Sequence, residues 1–318
     1  MIRYTFRAPD VAALRFGISP LNELGLGLRV LRLPEHYPLQ QAWISHIHPV
    51  LPVLDQEVLL HLVDERRWVA DFLNPRPASP LTSIDDELAA LSRITPERLR
   101  ADLEPIHGTL PAVFRGPHRE VVRRIVEAIA SMWHLCFAPH WPRMRSVLQA
   151  DITHRSRLLA TGGYEDMFAS LAKRIAWDGK HLDVRTMSNF EAEQEVAGRG
   201  FTLMPSIFVT DASTLIDLDR PPMLMYPARG QGAMWSSHPG ADRGALTQLL
   251  GATRAELLAA LGEPASSTEL ALRFGVSTSA INQHLRVLER SGLLNRTRYG
   301  RSVLYYRSDL GQSLASGA

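Results

Sequence analysis

The sequence predicts a mostly α chain with small β elements, an N-terminal α+β domain over residues 1–240 followed by a smaller C-terminal module over 241–318. Three observations predict it. Apolar residues recur at helical spacing through much of the first 175 residues, as in Val121, Val122, Ile125, Ile129 and Met132. The period then shortens, and LDVRTM (182–187), FTLMPSIFV (201–209) and PPMLMYPA (221–228) read as strands. The last 75 residues hold two short helical patterns joined by a glycine, then two strand-like runs around Gly300-Arg301.

In chain order, IRYTFR (2–7) reads as a first strand and Leu21, Leu24, Leu28 and Leu31 mark a helix over 20–33. A second helical pattern runs through 39–63. NPRPASP (74–80) is a proline-rich loop, and 84–93 is helical. Thr95-Pro96-Glu97 has the form of an N-cap followed by proline at the first helical position. Strong helical patterns follow at 117–136 and 141–160, with a shorter one at 164–174. The stretch SSHPGADRG (236–244) is polar and glycine-rich, and places the domain boundary.

Beyond it, Leu246, Leu249 and Leu250 mark a short helix that stops at Gly251. TRAE (253–256) has capping-box spacing and opens a helix running to Gly262, with Leu257, Leu258 and Leu261 inward. A second capping box at Ser266 to Glu269 opens the next helix, with Leu270, Ala271 and Phe274 inward. Gly275 supplies the left-handed residue that ends it, and Val276 fills the corner. Ser277 caps a further helix that Gly292 ends. Two helices joined by a glycine turn of this kind form a helix-turn-helix. Leu293 to Tyr299 and Ser302 to Arg307 make a hairpin with a basic tip (Arg296, Arg298, Arg301), which is a wing, and Asp309 to Ser316 forms a last short helix.

At about 3.6 residues per turn, Ile281, Leu285 and Leu288 of the second helix share one side. Ser279, Asn282, Gln283, Arg286 and Arg290 lie on the other. Amides, a hydroxyl and guanidinium groups read base edges and grip phosphates, so this face is a candidate surface for double-stranded DNA. Arg286 to guanine and Asn282 or Gln283 to adenine are the favoured pairings. Charge is placed to match. Residues 267–307 hold seven Arg and two Glu, whereas the whole chain is only +2, so a basic segment sits on a mildly acidic remainder.

The C-terminal region resembles the ArsR-type winged-helix transcription regulators. The resemblance rests on TRAELLAAL, on STELALRFGVSTSAINQHLRVLERSGLL and on the wing YGRSVLYYR, and covers about 245–310. With its long N-terminal region, the chain also looks like a group of actinomycete regulators whose N-terminal domain has no assigned function, in segments such as GRGFTLMPSIF and YPARG. The resemblance implies a homodimer on an inverted-repeat operator, often a repressor released by an effector. It implies that Thr278, Ser279, Asn282, Gln283 and Arg286 face the major groove. Ser277 and His284 would lie near phosphates, with Arg298 and Arg301 on the wing. Founding members sense metals through cysteines ahead of the recognition helix. Here that stretch is GEPASSTEL, with neither cysteine nor histidine.

Other classes find less support. Cys136 is the single cysteine, so no internal disulfide can form, as suits a reducing cytosol. The start MIRYTFRAPD shows no long apolar run or small-residue cleavage site, so no signal peptide is expected, and no uncharged run is long enough to span a membrane. A cytoplasmic location is therefore expected. The chain has no Gly-x-Ser-x-Gly elbow, no Gly-x₄-Gly-Lys loop, no His-Glu-x₂-His and no Gly-x-Gly-x₂-Gly. No enzyme activity, cofactor or metal is expected. An enzyme in the N-terminal domain, with the winged helix as an autoregulatory module, is the alternative, and a pure protein-interaction domain a third. Met132 to Phe137 with His140 and Trp141 is the most unusual N-terminal cluster. His134, Cys136 and His140 could ligate a metal, although Pro139 and Pro142 bend the chain there. Trp133, Phe137 and Trp141 are instead candidates for the wall of an apolar effector pocket. His46 and His48 read as structural.

Overall fold

A computed structural model describes residues 1–77, 82–185, 191–235, 243–261, 264–299 and 302–316. The chain is mostly helical with small sheets, and it divides into two compact units, 1–235 and 236–318.

The first unit runs β1 (Ile2–Thr5), α1 (Ala8–Ala12), β2 (Arg15–Phe16), α2 (Pro20–Arg32), α3 (Gln41–Ile47), α4 (Gln56–Leu60), α5 (Ile84–Leu91), α6 (Pro96–His107), α7 (His118–Met132) and α8 (Trp141–Ala169). It continues with β3 (Ile175–Trp177), β4 (His181–Val184), β5 (Ala192–Glu195), β6 (Thr202–Ser206), β7 (Ser213–Thr214), β8 (Met223–Pro227) and α9 (Gln231–Met234). One sheet has the order β3-β4-β1-β5, with β1 antiparallel to β4 and parallel to β5. The other has the order β2-β6-β8-β7, in which β2, β6 and β8 are parallel.

The central strands of the second sheet explain their apolar sequences. Leu203 of β6, and Leu224 and Tyr226 of β8, pack with Ile2, Tyr4, Leu182 and Val184 of the first sheet. The alternate residues Met204, Met223 and Met225 face a helical core that includes Leu24 and Leu28 of α2 and Ile125 and Ile129 of α7. Parallel strands covered on both faces read as continuous apolar runs rather than alternating ones.

Several elements differ from the sequence reading. The helix expected over 39–63 is broken into α3, a 3₁₀ stretch (His48–Val53) and α4, because Pro49 and Pro52 remove backbone donors. The two helices expected at 141–160 and 164–174 run together as α8, with Gly163 (φ 73°, ψ −167°) breaking the helical backbone between them, and the chain leaves the helix at Ala169. Strands β2, β3, β5 and β7 were not anticipated. They have two to four residues each, and β5 (AEQE) has no strand propensity of its own; its pairing with β1 makes it a strand. Residues 78–80 of the proline-rich loop and 236–242 of the expected boundary lie outside the described residues.

Candidate nucleic-acid interface

The second unit runs α10 (Arg243–Leu250), α11 (Ala252–Ala260), β9 (Ala265–Ser266), α12 (Ser267–Phe274), α13 (Thr278–Arg290), β10 (Leu294–Tyr299), β11 (Ser302–Arg307) and α14 (Asp309–Ser316). Its core is built from Leu257, Leu258, Leu261, Leu270, Ile281, Leu285, Leu288, Leu293, Leu294 and Tyr305. β10 and β11 form the hairpin, and β9 adds a third strand beside β11.

Local chemistry fixes the two central helices. Ser266 caps α12: its Oγ accepts from Glu269 N (3.2 Å), and Ser266 N donates to the Glu269 carboxylate (2.7 Å). Gly275, at φ 63° and ψ 30°, takes the left-handed turn that ends α12, a conformation that would cost most side chains 1 kcal/mol or so. Ser277 Oγ accepts from Ala280 N (3.2 Å) and caps α13. Two expectations fail here. Thr253 does not cap α11, which starts directly after Gly251 (φ 83°) with no side-chain cap. Val276 does not fill the corner between α12 and α13; it is 47% exposed, and the core is closed by Leu270, Ala271 and Ile281 instead.

On α13 the two faces separate cleanly. Ile281, Leu285 and Leu288 are at most 1% exposed. Ser279, Gln283, Arg286 and Arg290 are exposed and fall within about 60° of each other around the helix. The buried residues lie on the opposite side. Thr278, Asn282 and His284 are half-buried along the flanks, and Ser277 is exposed. The face therefore carries one hydroxyl, one amide and two guanidinium groups and no carboxylate. The flanking Glu289 is neutralised by Arg296 of β10 at 2.9 Å, which ties the wing to α13. Arg298 is exposed on β10, while Arg301 lies outside the described residues. Arg307, one of the seven arginines of the basic segment, has a different task. Its Nε and Nη2 donate to the carbonyls of Leu258 (2.7 Å) and Ala259 (2.6 Å), closing the C-terminal end of α11.

The aromatic cluster of the first unit is packed rather than open. Trp133 and Phe137, in a π-helical turn after α7, are 5% and 0% exposed, and their rings stack at 5.9 Å. Trp141 meets Trp133 edge-on at 5.1 Å, and Phe137 touches Trp43 and Phe208. Trp43 Nε1 is satisfied by the Cys136 carbonyl at 3.1 Å. Cys136 is fully buried, and burial pushes its thiol up to about 11, whereas His134 is exposed on another side of the turn. Among the described residues no group of three His, Cys, Asp or Glu is placed to hold a metal. His46 and His48 are both exposed, and His46 packs edge-on against His140.

A cleft opens elsewhere in this unit, with about 760 Å³ of space including its mouth. It is bordered by Arg29 of α2, Tyr37, the turn Arg66-Arg67-Trp68, and the segment Phe208 to Ile216 around β7. None of Trp133, Phe137 and Trp141 lines it. No local pattern marks this cleft, because its residues come from separated segments and become neighbours only through the fold.

Four buried carboxyls in this unit are raised by burial: Glu23, Glu87 and Asp102 to about 7, and Asp71 to about 6. Three of them accept from backbone amides. Glu23 accepts from Ile207 N (2.9 Å), Glu87 from Leu21 N (2.7 Å) and Asp71 from Asp217 N (2.7 Å). Asp102 is held by Arg98 and Arg220 at 2.9 and 2.6 Å. None of the four borders the cleft.

No described helix is long and apolar enough to cross a membrane. Compared with known families, residues 249–297 match a helix-turn-helix domain, and residues 7–114 match a family of unknown function (DUF5937). Comparison with curated proteins gives no match. Comparison with solved structures gives none either. The C-terminal unit thus carries a helix-turn-helix domain.

Proposed function

We propose that the chain is a sequence-specific, DNA-binding transcription regulator whose C-terminal unit is of the ArsR type. It acts as a homodimeric repressor in the cytosol, and a small molecule held by the first unit sets its DNA affinity. The observation that carries this reading is the α13 face, with Ser279, Gln283, Arg286 and Arg290 exposed opposite a sealed apolar side. Arginine and amide side chains are the groups that pair bidentately with guanine and adenine in the major groove. Ser277 and His284 flank them for phosphate contact, and Arg298 on the wing adds charge that holds the register. Phosphate neutralisation supplies much of the affinity and the α13 face the sequence choice.

A dimer is supported by apolar side chains left in water. Leu249 of α10 is 71% exposed and Leu310 of α14 is 56% exposed, on the first and last helices of the unit, the pair through which ArsR-type regulators commonly dimerise. Regulation requires that the effector bind the DNA-competent and DNA-free conformations with different affinity. A sensing role for the first unit is favoured over catalysis by its cleft, which offers guanidinium groups and hydroxyls, while the raised carboxyls lie outside it bound to backbone amides or arginines.

The test is binding of the full chain to DNA from upstream of its own gene and to random DNA, across a salt series, with the mass of the complex measured in parallel. Preference for the upstream DNA at a stoichiometry of two chains per site supports the proposal. Equal, salt-sensitive binding to both DNAs removes the sequence-specific reading, and one chain per site removes the dimer.

A further inference from the structure

The cleft of the first unit holds more positive charge than its neighbours neutralise. Arg29 projects from α2 and donates from Nη1 to Ser213 Oγ at 2.9 Å. Its Nε is sealed from solvent and has no hydrogen-bond partner. No carboxylate lies within ion-pair distance of it among the described residues. Burial pulls its pKa below the usual arginine value; Tyr37, Asp71 and Asp64 oppose this, and the positive charge of Arg67 adds to it. A guanidinium does not give up its proton in a protein, so the charge remains and is costly until something pairs with it.

Arg67 stands on the rim. It occupies a left-handed backbone conformation (φ 66°), uncommon for a residue with a side chain, at the turn closed by Arg67 N to Asp64 O (3.1 Å). Its side chain has no hydrogen bond or ion pair among the described residues. The surrounding charges are engaged. Arg66 is bound to Asp64 (2.6 Å) and the Pro105 carbonyl (2.7 Å), and lies over the Trp68 ring at 4.1 Å. Asp211 is paired with Arg174 at 2.9 Å, and Asp71 accepts from two backbone amides. Two arginines are left facing the same space, which the part-exposed side chains of Trp68 and Ile216 also border.

We propose that this cleft binds a small organic anion, a carboxylate on an apolar body, with Arg29 and Arg67 gripping the carboxylate and the Trp68 and Ile216 side taking the apolar part. Guanidinium and carboxylate match in geometry and form short, charge-assisted hydrogen bonds. The proposal names the ligand class for the sensing role above and rests on that reading only for its regulatory consequence.

The experiment is calorimetric titration of the full chain, without DNA, with benzoate, hexanoate and the neutral isostere benzamide. Binding of at least one carboxylate, with benzamide about tenfold weaker than benzoate or not bound, is the expected result. Arg29→Met and Arg67→Met should each weaken carboxylate binding by about tenfold or more. Arg67→Met carries the test if Arg29→Met does not fold, because Arg67 sits at the rim. No binding of either carboxylate, equal binding of benzoate and benzamide, or unchanged binding by Arg67→Met overturns the proposal. DNA affinity is then measured with and without the bound carboxylate. Carboxylate binding with unchanged DNA affinity keeps the anion site and removes only its role in regulation.

Discussion

Gly27→Ala puts two opposing effects of similar size against each other. Gly27 lies inside α2, where alanine should stabilise the helix by about 0.8–1.0 kcal/mol. A Cβ there, however, would stand 2.6 Å from the tip of the Phe137 ring and 3.4 Å from Trp43. Carbon atoms pack best at about 3.5–4.0 Å, so the ring must retreat by about 1 Å. It has nowhere to go: Phe137 is fully buried, stacked on Trp133 and held by Trp43 and Phe208. Overpacking of this kind costs about 1–3 kcal/mol, so the net effect is a loss of about 1 kcal/mol. Urea titration followed by circular dichroism measures it. In a Phe137→Leu background the clash is relieved, and Gly27→Ala should then stabilise. A gain of nearly 1 kcal/mol in the wild-type background would refute the filled aromatic core and return Trp133, Phe137 and Trp141 to candidacy as pocket walls.

Three further outcomes follow from the same geometry. Glu23 is held at about 7 by burial, above its ordinary 4.5, so the folded state binds its proton more tightly than the unfolded state. That contribution is present below about pH 4.5 and lost as pH rises through 7, up to roughly 3 kcal/mol. Glu23→Gln should flatten the fall in stability between pH 5 and 8, seen by urea titration at both ends, and an unchanged slope would contradict this. Leu285→Ala should cost about 2–5 kcal/mol and weaken binding to all DNA as α13 loses its seat; undiminished stability would place Leu285 outside the core. Arg298→Ala should reduce the salt dependence of DNA binding by about one unit of slope, equally on operator and random DNA, and an unchanged slope would leave Arg298 off the phosphates.

The second unit was the more legible because its signals are local. A cap, a glycine at φ 63° and the apolar period of α13 each sit within a few residues of one another, so Ser266, Gly275, Ser277, Ile281, Leu285 and Leu288 could be placed from sequence. Thr253 shows the limit of such patterns. Capping-box spacing is available there, but the chain turns two residues earlier at Gly251. The first unit depends on distant pairings. β1 finds β4 and β5 some 180 to 190 residues away, and short strands such as β5 carry no periodicity that could announce them. The cleft is hidden for the same reason. Arg29, Arg67 and Ser213 look like ordinary residues until the fold brings them together. The aromatic cluster misled in the opposite direction, since a run of rings in sequence says that they are close, not whether space remains between them.

The most direct test of the central claim is the affinity of Arg286→Ala for the upstream operator and for random DNA at one salt concentration. Arg286 is exposed in the middle of the α13 face and supports nothing in the core. If it reads a base bidentately, operator binding should fall by about 1–3 kcal/mol and the preference over random DNA should shrink accordingly. An equal loss on both DNAs would contradict base reading by α13 and leave Arg286 as a phosphate contact.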